Sequence, residues 1–489
     1  MKRLSDIMAS RTEIAVSALA LERDPPITLL TADSRKIVPG ALFAALPGTV
    51  HDGRAFIPQA IAAGAAAILA PKGTQLPADA GAVVLIEDAN PRRRLALLAA
   101  AFYGAQPAHI AAVTGTNGKT STAQFTRQIW TALGHRSGAM GTLGLVADGF
   151  PETPSLTTPD PVALHATLAE VANAGITHLA MEASSHGLDQ FRLDGVMVSA
   201  AGFTNLTRDH LDYHGTMEAY LAAKLALFDR VMPKGATAVI NADIPEYEQI
   251  AATAHQRKQT VIGFGTKGRE LRVLEATPLP HGQRLELELV GRKMVLEVPL
   301  VGRFQVWNAL CALGLAIGTG ADPAKAAETL VNLAGVRGRL EMVATLKNGA
   351  AVYVDYAHTP DGLETVLRSV RPHTQGRLSV VFGCGGDRDK GKRPMMGRIA
   401  ADLADRVIVT DDNPRTEVAA VIRAEVMAGC PDATEVDDRA RAIALAVAEL
   451  GPGDVLVLAG KGHEQGQIVG TEIRPFDDAT VARAAVAAL

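Results

Sequence analysis

Short apolar runs, each followed by a longer stretch with apolar residues three or four positions apart, set the rhythm of this chain. In the middle third the runs at 110–113, 177–181, 197–203, 238–240 and 260–264 have the length and Ala/Val/Ile/Leu content of single buried strands. After the first of them, Phe125, Ile129, Trp130 and Leu133 recur at helical spacing and Gly134 supplies a stop, which predicts a helix. The same alternation predicts strands at 28–30, 65–69 and 82–86 with a helix at 57–63, and further strands at 351–354, 378–382, 406–409 and 455–458. Strand–helix alternation predicts parallel, doubly wound sheets. The stretch 270–301 differs: LRVLEA, RLELELVG and KMVLEVPLVG alternate in polarity around turn residues and predict antiparallel strands. Gly and Pro in GAQPAH (104–109) and two glycines in GVRGRLE (335–341) mark linkers. The expectation is an α/β chain of three domains, 1–107, 108–337 and 338–489.

Composition narrows the possibilities. Aromatics make up 4% of the 489 residues, so the cores are small-residue α/β layers. A net charge of −4 provides no general attraction for nucleic acid, and any anion site must be local. Cys311, Cys384 and Cys430 are far apart and form no C-x-x-C pair, which argues against a disulfide framework or zinc site and for a reducing compartment. MKRLSDIMASRTE lacks an apolar leader core, and the longest apolar run, 60–70, is shorter than the ~18 residues of a membrane span. A cytoplasmic location without a membrane span is expected.

Seven polar or glycine-rich strings follow directly on strands: TGTNGKT, EASSHG, TNLTRDHLDYH, DYAHTPD, GCGGDRDKGKRP, TDDNPRTE and AGKGHE. Open parallel sheets bind ligands at the carboxyl ends of their strands, so these strings predict two facing ligand surfaces on two domains. TGTNGKT (Thr114, Gly115, Thr116, Asn117, Gly118, Lys119, Thr120) reads as a phosphate loop: glycines let backbone N–H groups face phosphate, Lys119 supplies a charge, and the Thr120 hydroxyl suits Mg²⁺. It departs from the usual pattern in having Val113 at the first glycine position. His210 and His214 stand four apart, but Leu211 follows the first, which removes the zinc-protease reading. A hard Mg²⁺ site near His210, with Glu182 as carboxylate, competes there with an ordinary strand-end loop. GCGGDRDKGKRP fits a solvated basic loop as well as an anion site, and DDNPRTE fits a capped turn as well as a site for a zwitterion.

Taken together, TADSRKIVPGALFAAL, TGTNGKT, MEASSHGLDQFR, FTNLTRDHLDYHGTMEAY, DYAHTPD, GCGGDRDKGKRP and GKGHE resemble the Mur ligases of bacterial cell-wall synthesis over essentially the whole chain. The resemblance implies a UDP-binding N-terminal domain, a central ATPase and a Rossmann-like C-terminal domain. It implies ATP-dependent amide formation through an acyl phosphate, with Thr120, Glu182, His210 and a carbamylated Lys224 around Mg²⁺, and Asn308, Arg339 and Asp355 at ATP. The acceptor it implies is UDP-N-acetylmuramoyl-L-alanyl-D-glutamate, on Ser34, Thr157, Thr158, Ser184, Gln190 and Arg192, with Thr49, Val50 and His51 toward the uracil. DNPR resembles members that add meso-2,6-diaminopimelate, whose second carboxylate suits Arg415; Arg388, Asp412, Asn413, Pro414, Gly460 and Glu464 complete the set. A lysine-adding relative, a folylpolyglutamate synthetase and a P-loop switch are the competing readings. A monomer is expected.

Overall fold

The computed structural model describes residues 2–9, 23–48, 51–151 and 156–489, and Thr49 and Val50 therefore lie outside the described residues. The chain divides into two compact units, Met1–Phe264 with Cys311–Asp322, and Gly265–Leu310 with Pro323–Leu489.

The first unit begins with a four-stranded parallel sheet, Leu29–Thr31, Ala41–Ala44, Ala67–Pro71 and Val84–Asp88 in spatial order. Pro91–Tyr103 follows as a helix, capped by the Asn90 side chain and with Pro91 in its first turn, where a missing N–H costs nothing. The larger sheet of this unit runs Thr260–Gly265, Thr237–Asn241, Val198–Phe203, His109–Thr114, His178–Glu182, Ser137–Gly141 and Gly144–Ala147 across its width. All neighbours are parallel except the last pair. His109–Thr114 lies between two strands that come later in the chain, so the sheet winds both ways from it. The crevice for a ligand opens at the carboxyl end of such a strand. The inner strands are covered on both faces and therefore read as continuous small-apolar runs rather than alternating ones. Packing is close enough to require glycine: a Cβ on Gly202 would stand 2.7 Å from the buried Cys311 Sγ. Asp194, 3% exposed, fastens the small sheet's helix to this core by accepting from Arg93 (2.7 Å) and Arg230 (3.1 Å).

The second unit holds three antiparallel strands, Leu271–Leu279, Gly282–Leu289 and Arg292–Val298, where the alternating pattern predicted them. Its main sheet runs Glu341–Thr345, Ala351–Asp355, Val455–Ala459, Leu378–Phe382, Arg406–Val409 and Thr434–Glu435. Only the first pair is antiparallel. Two apolar clusters cover its faces, one around Leu367, Val380 and Met396, the other around Val352, Ile443 and Leu456. A fully buried ion pair, Arg439 with Asp478 (2.6 Å), ties two helices together behind the sheet, and Arg439 also caps the Ala459 carbonyl (3.0 Å).

At the end of the large sheet opposite the phosphate loop, His178 is stacked between His135 (4.2 Å) and His109 (4.5 Å). Burial, and then the neighbouring imidazoles, lower its pKa to about 4. An unfolded histidine takes up its proton near 6.5, so between those values the unfolded chain binds more protons than the native one. Stability is then lost as pH falls from about 6.5 toward 4, by up to about 3 kcal/mol from this residue. Urea denaturation at pH 7.5 and 4.5 should show a smaller acid loss in His178→Gln than in the wild type; equal losses would remove His178 as the cause.

Candidate functional site

The loop after His109–Thr114 is shaped by two glycines with positive φ, Gly115 (144°) and Gly118 (87°). A Cβ on Gly115 would run into the Thr204 hydroxyl, and Gly118 is the left-handed N-cap of the helix Lys119–Ala132. The loop is braced by the end of the next strand. Thr116 N–H donates to Asn205 O (2.9 Å), Asn117 N–H to Asn205 Oδ1 (2.9 Å), and Thr204 Oγ1 to Asn117 O (2.6 Å). The Thr116 hydroxyl is shared with Thr207 and Tyr220. Two of the N–H groups expected to face phosphate are thus spent on Asn205. What remains to meet an anion is the first turn of the helix, whose N–H groups have no intrahelical acceptors, and Lys119. Thr204, Asn205, Thr207 and Tyr220 lie within a quoted motif but have no role in its reading, because their work is bracing across strands.

Lys119 Nζ folds back onto Gly115 O (2.9 Å) and Thr116 O (2.7 Å). Lys224 Nζ, reaching in from the helix Met217–Ala226, donates to the same Gly115 oxygen (2.8 Å) and lies over the Tyr220 ring. Lys224 is 1% exposed, and burial, then the charge of Lys119, holds its pKa well below the usual lysine value against an opposing pull from Asp209. Both effects favour the uncharged, nucleophilic form of the Lys224 amine over the ammonium.

Glu182 sits beside Val113 in the parallel register, at the mouth of the same crevice. Its buried carboxylate accepts from Thr142 N–H (2.7 Å) and Thr142 Oγ1 (3.2 Å). Thr120 is buried in the first turn of the loop's helix. His210, half-exposed, has φ 52° and lies edge-on to His186 (5.0 Å between centroids). Among the described residues no group of three or more His, Cys, Asp or Glu converges on one point. A hydroxyl, one carboxylate and one imidazole at the ends of neighbouring strands do not make a protein cage. They fit a hard cation that takes its other ligands from phosphate and water, which is magnesium behaviour. Lys224 fits such a set only as an anion.

A cleft of about 1100 Å³ in the first unit brings together Ser34, His51, Gln190 and Arg192, lined also by Arg92 and Asp160. Behind it Arg192 donates to Gln190 Oε1 (2.8 Å) and Thr158 O (2.7 Å), Ser184 Oγ donates to Thr158 Oγ1 (3.0 Å), and Thr157 Oγ1 meets Thr142 Oγ1 (3.1 Å). Thr158, which accepts from Arg192 and donates through Oγ1 to Glu182 O (3.1 Å), connects the cleft to the crevice. Ser184 also caps the short helix Ser185–Asp189.

In the second unit Asn308 donates to Gln305 Oε1 (3.1 Å), and Gln305 holds Arg339 O (2.5 Å). The Arg339 guanidinium stacks on Tyr356 (4.5 Å). Asp355 accepts from Leu340 N–H (2.7 Å) and Ala357 N–H (2.8 Å), and burial raises its pKa to about 6. The ends of Arg406–Val409 and Val455–Ala459 form a second polar cluster. Asn413 Nδ2 donates to Glu464 Oε2 (2.9 Å), and Asp412 accepts from Asn413 N–H (2.7 Å). A Cβ on Gly460 would stand 2.8 Å from Asp412 Oδ2. Buried Pro414 leads into Arg415, which has φ 51° and donates through Nη1 to Gly386 O (2.8 Å). Arg388 stays outside this network, exposed and bonded to Asp387 O (3.2 Å). Sequence reading takes Lys461 only as part of GKGHE, and Arg393 only as part of the basic loop GCGGDRDKGKRP, where its burial against carboxylates corrects both the solvated and the anion-binding reading for that residue. Both are fully buried cations, and Arg393 pairs with Glu417 (2.9 Å) and Glu425 (2.6 Å) to hold the loops of Arg388 and Arg415 together.

Three family profiles match in turn: the Mur ligase family, catalytic domain over residues 26–103, the Mur ligase middle domain over 113–316, and the Mur ligase, glutamate ligase domain over 338–462. The UDP-N-acetylmuramoyl-L-alanyl-D-glutamate–2,6-diaminopimelate ligase of Caulobacter vibrioides is 57% identical over 461 residues, covering 93% of this chain and 94% of that protein. The protein of the same name from Bradyrhizobium diazoefficiens is 52% identical over 492 residues, 99% of each. A solved structure of a ligase of that name superposes with a TM-score of 0.73 at 34% identity, covering 95% of both chains. Whole-length identity of this order, on top of a phosphate loop braced at the switch point of a doubly wound sheet, leaves one conclusion: the chain belongs to the Mur ligase family.

Proposed function

We propose that this chain is an ATP-dependent ligase that adds 2,6-diaminopimelate, in its meso form, to UDP-N-acetylmuramoyl-L-alanyl-D-glutamate in the synthesis of peptidoglycan precursors. The observation that carries the choice of amino acid is the cluster of Arg415, Asn413 and Glu464: a guanidinium and an amide beside a carboxylate, fit for a group bearing both charges. At its side-chain end lysine offers an ammonium alone and would leave Arg415 without an anion there.

A free carboxylate is a poor acyl donor. Transfer of the terminal phosphoryl group of ATP to the glutamate carboxylate yields ADP and an acyl phosphate. The amine of diaminopimelate attacks that carbonyl, and collapse of the tetrahedral species expels phosphate and leaves the amide. In this reading Lys119 and the helix it begins neutralise charge on the transferred group. Thr120, Glu182, His210 and carbamylated Lys224 would hold Mg²⁺, which supplies further neutralisation when bound. The downward shift of the Lys224 pKa supports that modification, since only an uncharged amine adds to carbon dioxide. Ser34, His51, Thr157, Thr158, Ser184, Gln190 and Arg192 would take the UDP-muramoyl-dipeptide, and Asn308, Arg339 and Asp355 would meet the nucleotide. Domains 1–107, 108–337 and 338–489 are the working frame, with the cytoplasm as the site of action.

The direct test is ADP release with UDP-N-acetylmuramoyl-L-alanyl-D-glutamate and either diaminopimelate or lysine, with mass spectrometry for the amide product. Diaminopimelate should be preferred by roughly 10⁴-fold; equal rates would defeat the assignment. Arg415→Ala should lower kcat/KM for diaminopimelate roughly 30- to 1000-fold, the loss of about 2–4 kcal/mol from a desolvated charge pair. Separately, Lys224→Ala should lose most activity and regain part of it in acetate, which can stand in for the carbamate. No regain across a wide acetate range would count against a carbamate.

A further inference from the structure

The turn after Val455–Ala459 carries a cation to which the reading above gives no role. Lys461 is fully buried, and its ammonium donates to Asn413 Oδ1 (3.1 Å) and Glu464 Oε2 (3.2 Å). The Ile468 N–H donates to the same Asn413 oxygen (2.9 Å). An amide oxygen has two lone pairs, and both are now taken. The Asn413 amide therefore cannot turn over, and its NH₂ group must face Glu464 Oε2, to which it donates at 2.9 Å. That carboxylate oxygen in turn receives two donors, while Oε1 accepts no hydrogen bond from any described residue. The backbone fixes this arrangement. Gly460 and Gly462 both have positive φ, 112° and 55°, and Glu464 N–H closes a turn on Lys461 O (3.0 Å).

We infer that Lys461 is a positioning residue that sets the amino-acid selectivity of the site. By occupying Asn413 Oδ1 and Glu464 Oε2, it leaves the pair with one outward amide N–H and one open carboxylate oxygen. A donor then stands beside an acceptor, the complement of an ammonium and carboxylate on one carbon. Without the buried cation only the Ile468 N–H holds the Asn413 oxygen, and Glu464 is left partly desolvated beside an amide whose face is less firmly fixed. The inference rests on the proposed function and deepens it.

The test compares the wild type, Lys461→Met and Lys461→Gln in ADP-release assays with UDP-N-acetylmuramoyl-L-alanyl-D-glutamate, together with thermal midpoints. Lys461→Met should raise KM for diaminopimelate about tenfold or more and narrow the preference over lysine by a similar factor. Its kcat at saturating amino acid and its KM for ATP should stay within about threefold of the wild type. Lys461→Gln, which keeps a donor but no charge, should show a smaller shift in the same direction. An unchanged KM and preference in both folded variants would overturn the inference. So would a parallel loss in kcat and in every KM, or midpoints more than about 10 °C below the wild type in both, since either outcome makes Lys461 a structural residue only. Failure of the wild type itself to release ADP with diaminopimelate would instead overturn the proposed function.

Discussion

Two lysine side chains meet on one backbone oxygen, Gly115 O, and much of the first unit is arranged around that crowding. Lys224 is buried and stands beside Lys119, so neither burial nor charge favours a second cation there. An anion would relieve the conflict: a phosphate at the loop would add an opposite charge beside Lys119, and conversion of Lys224 to a carbamate would turn a repulsive neighbour into an attractive one. The bracing from Thr204, Asn205 and Thr207 belongs to the same logic, since a loop that must hold two lysines on one carbonyl cannot rely on its own backbone for rigidity. Gly115 has to be glycine twice over, for its φ of 144° and for the Thr204 hydroxyl against it.

The second unit handles buried charge in the opposite way. Arg393, Arg439 and Lys461 are all fully buried, and each is matched by carboxylates within hydrogen-bond distance. Breaking such a pair from one side leaves an uncompensated charge, commonly a cost of about 3–5 kcal/mol. These pairs are therefore rigid fixtures, and they sit directly behind the loops of Arg388, Arg415 and Glu464. The first unit crowds two lysines at the loop proposed to meet phosphate; the second is charge-complete behind the residues proposed for the amino acid. The difference suits a reactive group that arrives with its own negative charge and a nucleophile that must be recognised by shape and sign.

The strands were legible wherever burial on both faces made a run of apolar residues, as in Leu378–Phe382 and Arg406–Val409, where predicted and observed bounds coincide. Ser137–Gly141 escaped because its sequence, SGAMG, has almost no side chain to read. The reason lies across the sheet, where Glu182 occupies the space a Cβ on Gly141 would need. Ala41–Ala44 was passed over inside a longer motif, and Glu341–Thr345 begins where a linker was expected. The motif residues themselves were legible because phosphate and charge recognition need particular residue types at fixed spacing. The bracing roles of Asn205, Tyr220, Arg393 and Lys461, all inside quoted motifs, were not, since nothing local distinguishes a buried bracing side chain from a surface one until its partner is brought alongside.

Backbone strain is a further pointer that no sequence reading could supply. Seven described residues other than glycine have positive φ: Phe191, His210, Lys258, Val290, Leu340, Asp387 and Arg415. Lys258 and Val290 lie in ordinary turns between regular elements. Phe191 lies between Gln190 and Arg192, Leu340 follows Arg339, Asp387 precedes Arg388, and His210 and Arg415 are themselves residues assigned to ligands. A left-handed residue with a side chain costs roughly 1–2 kcal/mol, and persists only where its surroundings over-determine it. At Arg415 those surroundings are visible: its N–H and C=O are both paired, to Ile468 and Gly470, and its guanidinium is held by Gly386. The strain falls on the same loops that chemistry selected, in both units and by an independent measure. It is what a chain would show if the direction of these side chains mattered more than the comfort of its backbone.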